Sequence, residues 1–196
     1  VQILVPWIAI GIATMALVVA GASFVDRNNR AQTPVALSSP QPADMPTSSV
    51  DLSSMTPRQA ADRLFNRIMT ASERGDIEEA KQFVPMALGA YERLGTLDND
   101  ARYHVALIDL TTGDIQGARV QIDGIRQSVP THLLAIMVER DIAERSGDKA
   151  GVAKAYKDFL AAYSEEIAAE RPEYQDHWGG IERFRKAAQA SVAEKK

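Results

Sequence analysis

The 196-residue chain contains no cysteine. Disulfides, iron–sulfur clusters and thiolate zinc sites are thereby excluded, and cysteine usage says nothing about the redox compartment. Excess positive charge is missing too: 22 Lys and Arg face 26 Asp and Glu, for a net charge of -4. Nucleic-acid binding favours a basic patch, so no nucleic-acid partner is expected. Catalytic signatures are also lacking. There is no H-E-x-x-H pair, nucleophile elbow or Gly-rich phosphate loop. The reading is therefore of a non-catalytic chain, with no catalytic, cofactor-binding or metal site expected.

The remaining absences are regional. Val1 to Val25 carries no charged residue, and the run "VQILVPWIAIGIATMALVVAGASFV" is apolar almost throughout. A helix needs about 20 apolar residues to cross the hydrocarbon core, so residues 1–25 are expected to be a single transmembrane anchor. Trp7 sits near one end, where amphipathic rings favour the headgroup level. Ala9, Ala13, Ala16 and Ala20 are small residues at helical spacing that let a second membrane helix come close. A secretory signal peptide is the rival, with "AGAS" at Ala20 to Ser23 resembling a cleavage site. The apolar run exceeds a typical signal core, which favours the uncleaved anchor.

Residues 26–55 have almost no large apolar side chains, and Ser, Pro, Ala and Thr dominate. Such a stretch cannot bury enough surface to fold alone, and its prolines favour extended backbone. It reads as a tether. Arg27 and Arg30 follow the span, which by the positive-inside rule places the C-terminal part in the cytoplasm. A Pro/Ser/Thr leash is instead typical of exported domains, and residues ahead of Val1 would shift the charge balance. The expectation is a single-pass protein of a bacterial-type inner membrane with a periplasmic C-terminal domain.

From Thr56 onward the chain is charged, Ala-rich and nearly free of proline, and a short grammar recurs. "RGDIEEA", "TGDIQGA" and "SGDKAGV" each place Asp after Gly, with a small residue five places beyond the Gly. Gly tolerates the left-handed conformation that ends a helix, and Asp caps the next one. Each pair is thus expected to be the joint of a helix hairpin. Thr56, Pro57 and Gln59 read as a capping box opening the first helix. Pro85 falls inside the second helix and is expected to kink it. Asp98 or Asn99 caps a third helix, Thr131 starts a fifth, and Pro172 ends the sixth. A last amphipathic stretch near Asp176 to Ala193 carries Trp178, Ile181, Phe184, Ala187 and Val192.

Gly75, Gly113 and Gly147 lie 38 and 34 residues apart by their numbers. On this period the chain resembles the tetratricopeptide repeat (TPR) family, with degenerate repeats. Ala80 and Ala118 match the small second-helix position, Ala106 the small first-helix position, Tyr156 the aromatic position and Pro130 the terminal proline. Val152, Ile68 and Arg140 depart from the pattern. The resemblance implies an all-α fold: an α-solenoid of three helix pairs over 56–170, then a capping helix and tail over 171–196. It also implies a concave groove lined by the first helix of each pair. Position by position, that groove takes Asp62, Phe65 and Met69, then Asp100, Tyr103 and Leu107, then Met137 and Asp141. The chaperone-type carboxylate clamp is not matched, because Phe65, Met69, Tyr103 and Leu107 stand where its Lys and Asn would be.

His104, His132 and His177 look scattered. His104 shares a helix face with Asp109 only loosely, His132 reads as an ordinary first-turn residue, and "EYQDHW" would need two more ligands to hold a metal. The basic side of "ERFRKAAQASVAEKK" reads as a solvated helix, with contact to acidic lipid a weak second reading. Together these features predict a membrane-anchored TPR scaffold. Its expected role is that of an accessory subunit in a large membrane complex, such as a photosynthetic or respiratory one. The bilayer and the other subunits are its partners. A transient assembly factor, as in cytochrome maturation or envelope quality control, is the alternative.

Overall fold

The computed structural model describes residues 54–193. The anchor read at 1–25, nearly all of the tether and the last three residues lie outside the described residues. Among the described residues there are eight helices and no strand. None of these helices is long and apolar enough to cross a membrane. The helices are α1 (Pro57–Glu73), α2 (Ile77–Glu92), α3 (Asn99–Thr112), α4 (Ile115–Ser128), α5 (Leu133–Arg145), α6 (Lys149–Ala168), α7 (Pro172–Asp176) and α8 (Trp178–Ala193).

Packing is densest within α1–α2, α3–α4 and α5–α6, so the chain builds three helix hairpins. The first helices also touch in order, α1 on α3 and α3 on α5, in a solenoid-like stack.

The hairpin joints are chemically the same three times. At the first, Gly75 N–H donates to the Ser72 carbonyl and Asp76 N–H to that of Ala71. At the second, Gly113 and Asp114 serve Leu110 and Asp109; at the third, Gly147 and Asp148 serve Glu144 and Ala143. This is the Schellman pattern, and it needs a left-handed residue at the helix end. Gly75, Gly113 and Gly147 supply it at φ 79°, 84° and 69°. The aspartates then accept from Glu79, Gly117 and Gly151 N–H at 3.0, 2.8 and 2.9 Å. Each such cap contributes about 1 kcal/mol. At the second joint the cap is also a tight fit, because a Cβ on Gly117 would lie 2.6 Å from Asp114 Oδ2.

Local expectations meet mixed outcomes. Thr56 and Gln59 form the capping box, and Asp98, not Asn99, caps α3. Pro85 lies inside α2 without ending it. Ala80 and Ala118 are fully buried where the second helix meets the first, and Val152 is only half-buried. α3 faces two ways. Its Ala101, Val105 and Ile108 join the core of the first hairpin, while Tyr103, Ala106 and Leu110 join the core of the second and third.

The start of α5 and the C-terminus correct the sequence reading. The residue at the cap of α5 is His132, not Thr131, and it makes no side-chain cap bond. His132 is fully buried rather than an ordinary first-turn residue. The free Leu133 N–H instead donates to the Tyr174 hydroxyl at 2.9 Å. A distant phenol thus does the work of a cap, which no local pattern announces. Pro172 does not merely end α6 but opens α7. The single capping helix is thereby two, and α8 packs on α6 and α5. Ile181, Phe184 and Ala188 form its buried face, whereas Trp178 and Val192 are exposed and Ala187 faces solvent. Phe184 sits 4.6 Å from the fully buried Phe159 ring.

Candidate functional site

The turn between α7 and α8 brings His177 back onto α3, two hairpins upstream in sequence. His177 Nε2 lies 2.7 Å from Asp100 Oδ1 and 3.3 Å from His104 Nε2. Asp100 and His104 are four residues apart on α3, so they share a helix face, with Asp100 Oδ1 3.6 Å from His104 Nε2. Three donor atoms therefore converge: two imidazole nitrogens and a carboxylate oxygen.

The surroundings fix these groups. Phe65 stacks on the His104 ring at 3.9 Å between centroids, and Tyr103 meets His177 edge-on at 4.8 Å. His104 Nδ1 lies 2.8 Å from the Tyr91 hydroxyl, which donates to Asp62 Oδ1 at 3.0 Å. Since that phenol's proton goes to Asp62, it can only accept from the imidazole. Nδ1 of His104 therefore carries a proton, and in the neutral ring Nε2 carries the lone pair. Asp62 is gripped in turn by Arg58 Nε at 2.8 Å. Arg58 also reaches Asp98 at 2.8 Å and pairs with Asp100.

Electrostatics follow from this wiring. Burial pushes Asp100 up, but the His177 hydrogen bond and the neighbouring His104, His177 and Arg58 charges outweigh it and hold the carboxyl below its usual range. Asp62 behaves likewise, with burial outweighed by hydrogen bonds from His104 and Arg58. Burial and the Asp62 charge push the Tyr91 phenol well up, so it stays a donor. Both carboxylates are thus ionised at neutral pH.

A second polar network lies at the start of α5. Burial pulls His132 below its usual range, so it is neutral. It meets Glu173 Oε1 through Nε2 at 2.9 Å. The buried Glu166 accepts from Thr131 at 2.6 Å, Tyr174 at 2.7 Å and Arg171 at 2.8 Å. This network ties α7 to the beginning of α5 and to the end of α6. It has the makeup of a structural clasp, with Glu166 paired to Arg171 and Glu173 hydrogen-bonded to His132.

The residues expected to line the groove are distributed unevenly. Asp62 and Asp100 belong to the cluster just described. Phe65 and Tyr103 are buried against its histidines. Met69, Leu107, Met137 and Asp141 are half-buried. Met137 lies under the start of α8, its methyl 3.6 Å from where a Cβ on Gly180 would sit. Burial pushes the Asp141 carboxyl up. The most exposed large apolar side chains are elsewhere: Met86 on α2, Val120 on α4 and Trp178 on α8. The anchor residues Trp7, Ala9, Ala13, Ala16 and Ala20 lie outside the described residues.

The His104–His177 meeting is what sequence reasoning missed. Asp100-x-x-x-His104 was a readable half of it, since residues four apart share a helix face. His177 carried no local signal, because only the return of α7 places it there.

No protein-family model, curated protein or solved structure matches this chain. What the fold defines is a class, an all-α protein of stacked helix hairpins.

Proposed function

We propose that the chain is a membrane-tethered TPR-like scaffold, an accessory subunit that holds an extramembrane partner to a larger membrane complex. The observation that supports this reading best is the threefold use of one joint, Gly in the left-handed conformation followed by a capping Asp. It closes three like hairpins, whose first helices contact one another in order, α1 with α3 and α3 with α5. Stacks of this kind present extended surfaces to which proteins bind. The apolar run at 1–25 and the Pro/Ser-rich stretch after it supply the anchor and the leash in this reading.

Purification of the full chain from native membranes in gentle detergent, with quantitative mass spectrometry, tests the proposal. A fixed ratio to one membrane complex is the expected result. Recovery at low ratio with many immature or exported proteins would replace the subunit by an assembly factor, and recovery alone would overturn both. Cross-links to the α1–α3–α5 face or to the Met86 and Val120 side would then identify which surface is used.

A further inference from the structure

The geometry points to a transition-metal site at Asp100, His104 and His177, of a kind that takes a divalent zinc-like ion through two imidazoles and one carboxylate. The three residues offer ligand atoms that all lie within 4.8 Å of one another. A tetrahedral ion with bonds of about 2.0–2.1 Å holds its donors roughly 3.3–3.4 Å apart. The two imidazole nitrogens stand 3.3 Å apart, and the carboxylate oxygen is 3.6 and 2.7 Å from them. Only the last spacing has to open, from a hydrogen bond to a ligand edge.

Three further observations support the assignment. The first is tautomeric. A metal-ligating histidine usually donates its other N–H to an oxygen that orients the ring. His104 does so to Tyr91, itself braced by Asp62, leaving the Nε2 lone pair directed at the cluster. The second is charge. Asp62, Asp98 and Asp100 share the single Arg58 guanidinium, which leaves the local charge negative and suits a divalent cation. The third is access. A cleft of about 360 Å³ opens beside Asp100, lined also by Arg58, Asp98, Glu173 and Asp176. It brings solvent to the Asp100 side of the cluster.

The donor set also limits the ion. Two imidazoles and one carboxylate suit zinc, cobalt, nickel or copper(II) better than calcium or magnesium, which prefer all-oxygen shells. Bound there, the ion would fasten the α7–α8 turn to α3. Its first effect is therefore on the docking of the C-terminal pair rather than on any hairpin.

The test is a titration of the chelator-stripped full chain in mild detergent with Zn²⁺, followed by Co²⁺ as a spectroscopic probe. One equivalent of Zn²⁺ is expected to bind and to raise the thermal midpoint, since an ion that binds only the folded state stabilises it. Co²⁺ is expected to give visible bands of a four-coordinate site. His177→Gln and Asp100→Asn should each abolish the stoichiometric binding while helical circular dichroism is retained. Tyr91→Phe should weaken it by roughly 10–100-fold through the lost support of His104. No binding by the parent chain, or Co²⁺ bands only of a hexaaqua-like ion, overturns the assignment without reference to any variant. Equal binding by parent and His177→Gln overturns it as well.

Discussion

Asp109 sits in the last turn of α3, where its carboxylate works against the fold. Burial and, next, the Asp114 charge push it up to about 6. The helix C-terminus, which disfavours negative charge, acts in the same direction. Asp109→Asn keeps the shape and removes the charge. An unfolded aspartate titrates near 3.9. Between these values the folded state binds more protons than the unfolded one. Stability is therefore fully present below the unfolded value and is lost as pH rises through about 6. The shift of roughly two pH units sets a ceiling of about 3 kcal/mol. Relaxation of the surroundings of the buried charge reduces that to about 1–2 kcal/mol. The asparagine variant should accordingly be more stable than the parent by about 1–2 kcal/mol at pH 8. The gain should shrink as pH falls below about 6 and approach zero only below the unfolded value of about 3.9. Denaturant unfolding of the full chain at several pH values measures both numbers. A gain that is independent of pH would show that repacking against Gly117, not ionisation, is responsible. A loss of stability at pH 8 would refute the argument outright.

Other perturbations have equally definite expectations. Gly113→Ala meets no atom within 4 Å but must hold φ 84°, so it should lower stability by about 1–2 kcal/mol through backbone strain alone, read as a shifted denaturation midpoint. Glu170 adopts φ 49° without being glycine, so Glu170→Gly should be neutral or stabilising by up to about 1 kcal/mol in the same assay. Tyr174→Phe strips the acceptor from Leu133 N–H and a donor from Glu166, and should cost about 1–3 kcal/mol, with faster amide exchange at Leu133. Phe159→Ala should cost about 3–5 kcal/mol, and its cavity under Phe184 should loosen α8 before the first hairpin in hydrogen exchange.

The legible part of this fold is the part whose chemistry is local. Gly75 with Asp76, Gly113 with Asp114 and Gly147 with Asp148 act within a single turn, so seven-residue phrases were enough to locate every hairpin joint. The capping box at Thr56 and Gln59 acts within one turn and is legible in the same way. What escaped is non-local. Leu133 is capped by a hydroxyl 41 residues away, and His104 meets a ring 73 residues away. His132 was misjudged for the same reason. Nothing beside it in sequence says that Glu173 will stand 2.9 Å from its ring. The repeat pattern ends at α6 and carries no sign that α7 and α8 return over Tyr103 and Met137.

That return has a consequence in time. Each hairpin closes over a short loop, which is fast, whereas the contact of His177 with Asp100 spans 77 residues and must wait for residue 177 to emerge. During synthesis α1 to α4 can pair as soon as they emerge, with Asp100 and His104 already in register. Only the arrival of residue 177 completes the cluster. α7 and α8 thus dock after the three hairpins, held mainly by the packing of α8 on α6. An ion at the cluster could therefore be captured only once the α7–α8 turn has docked on α3.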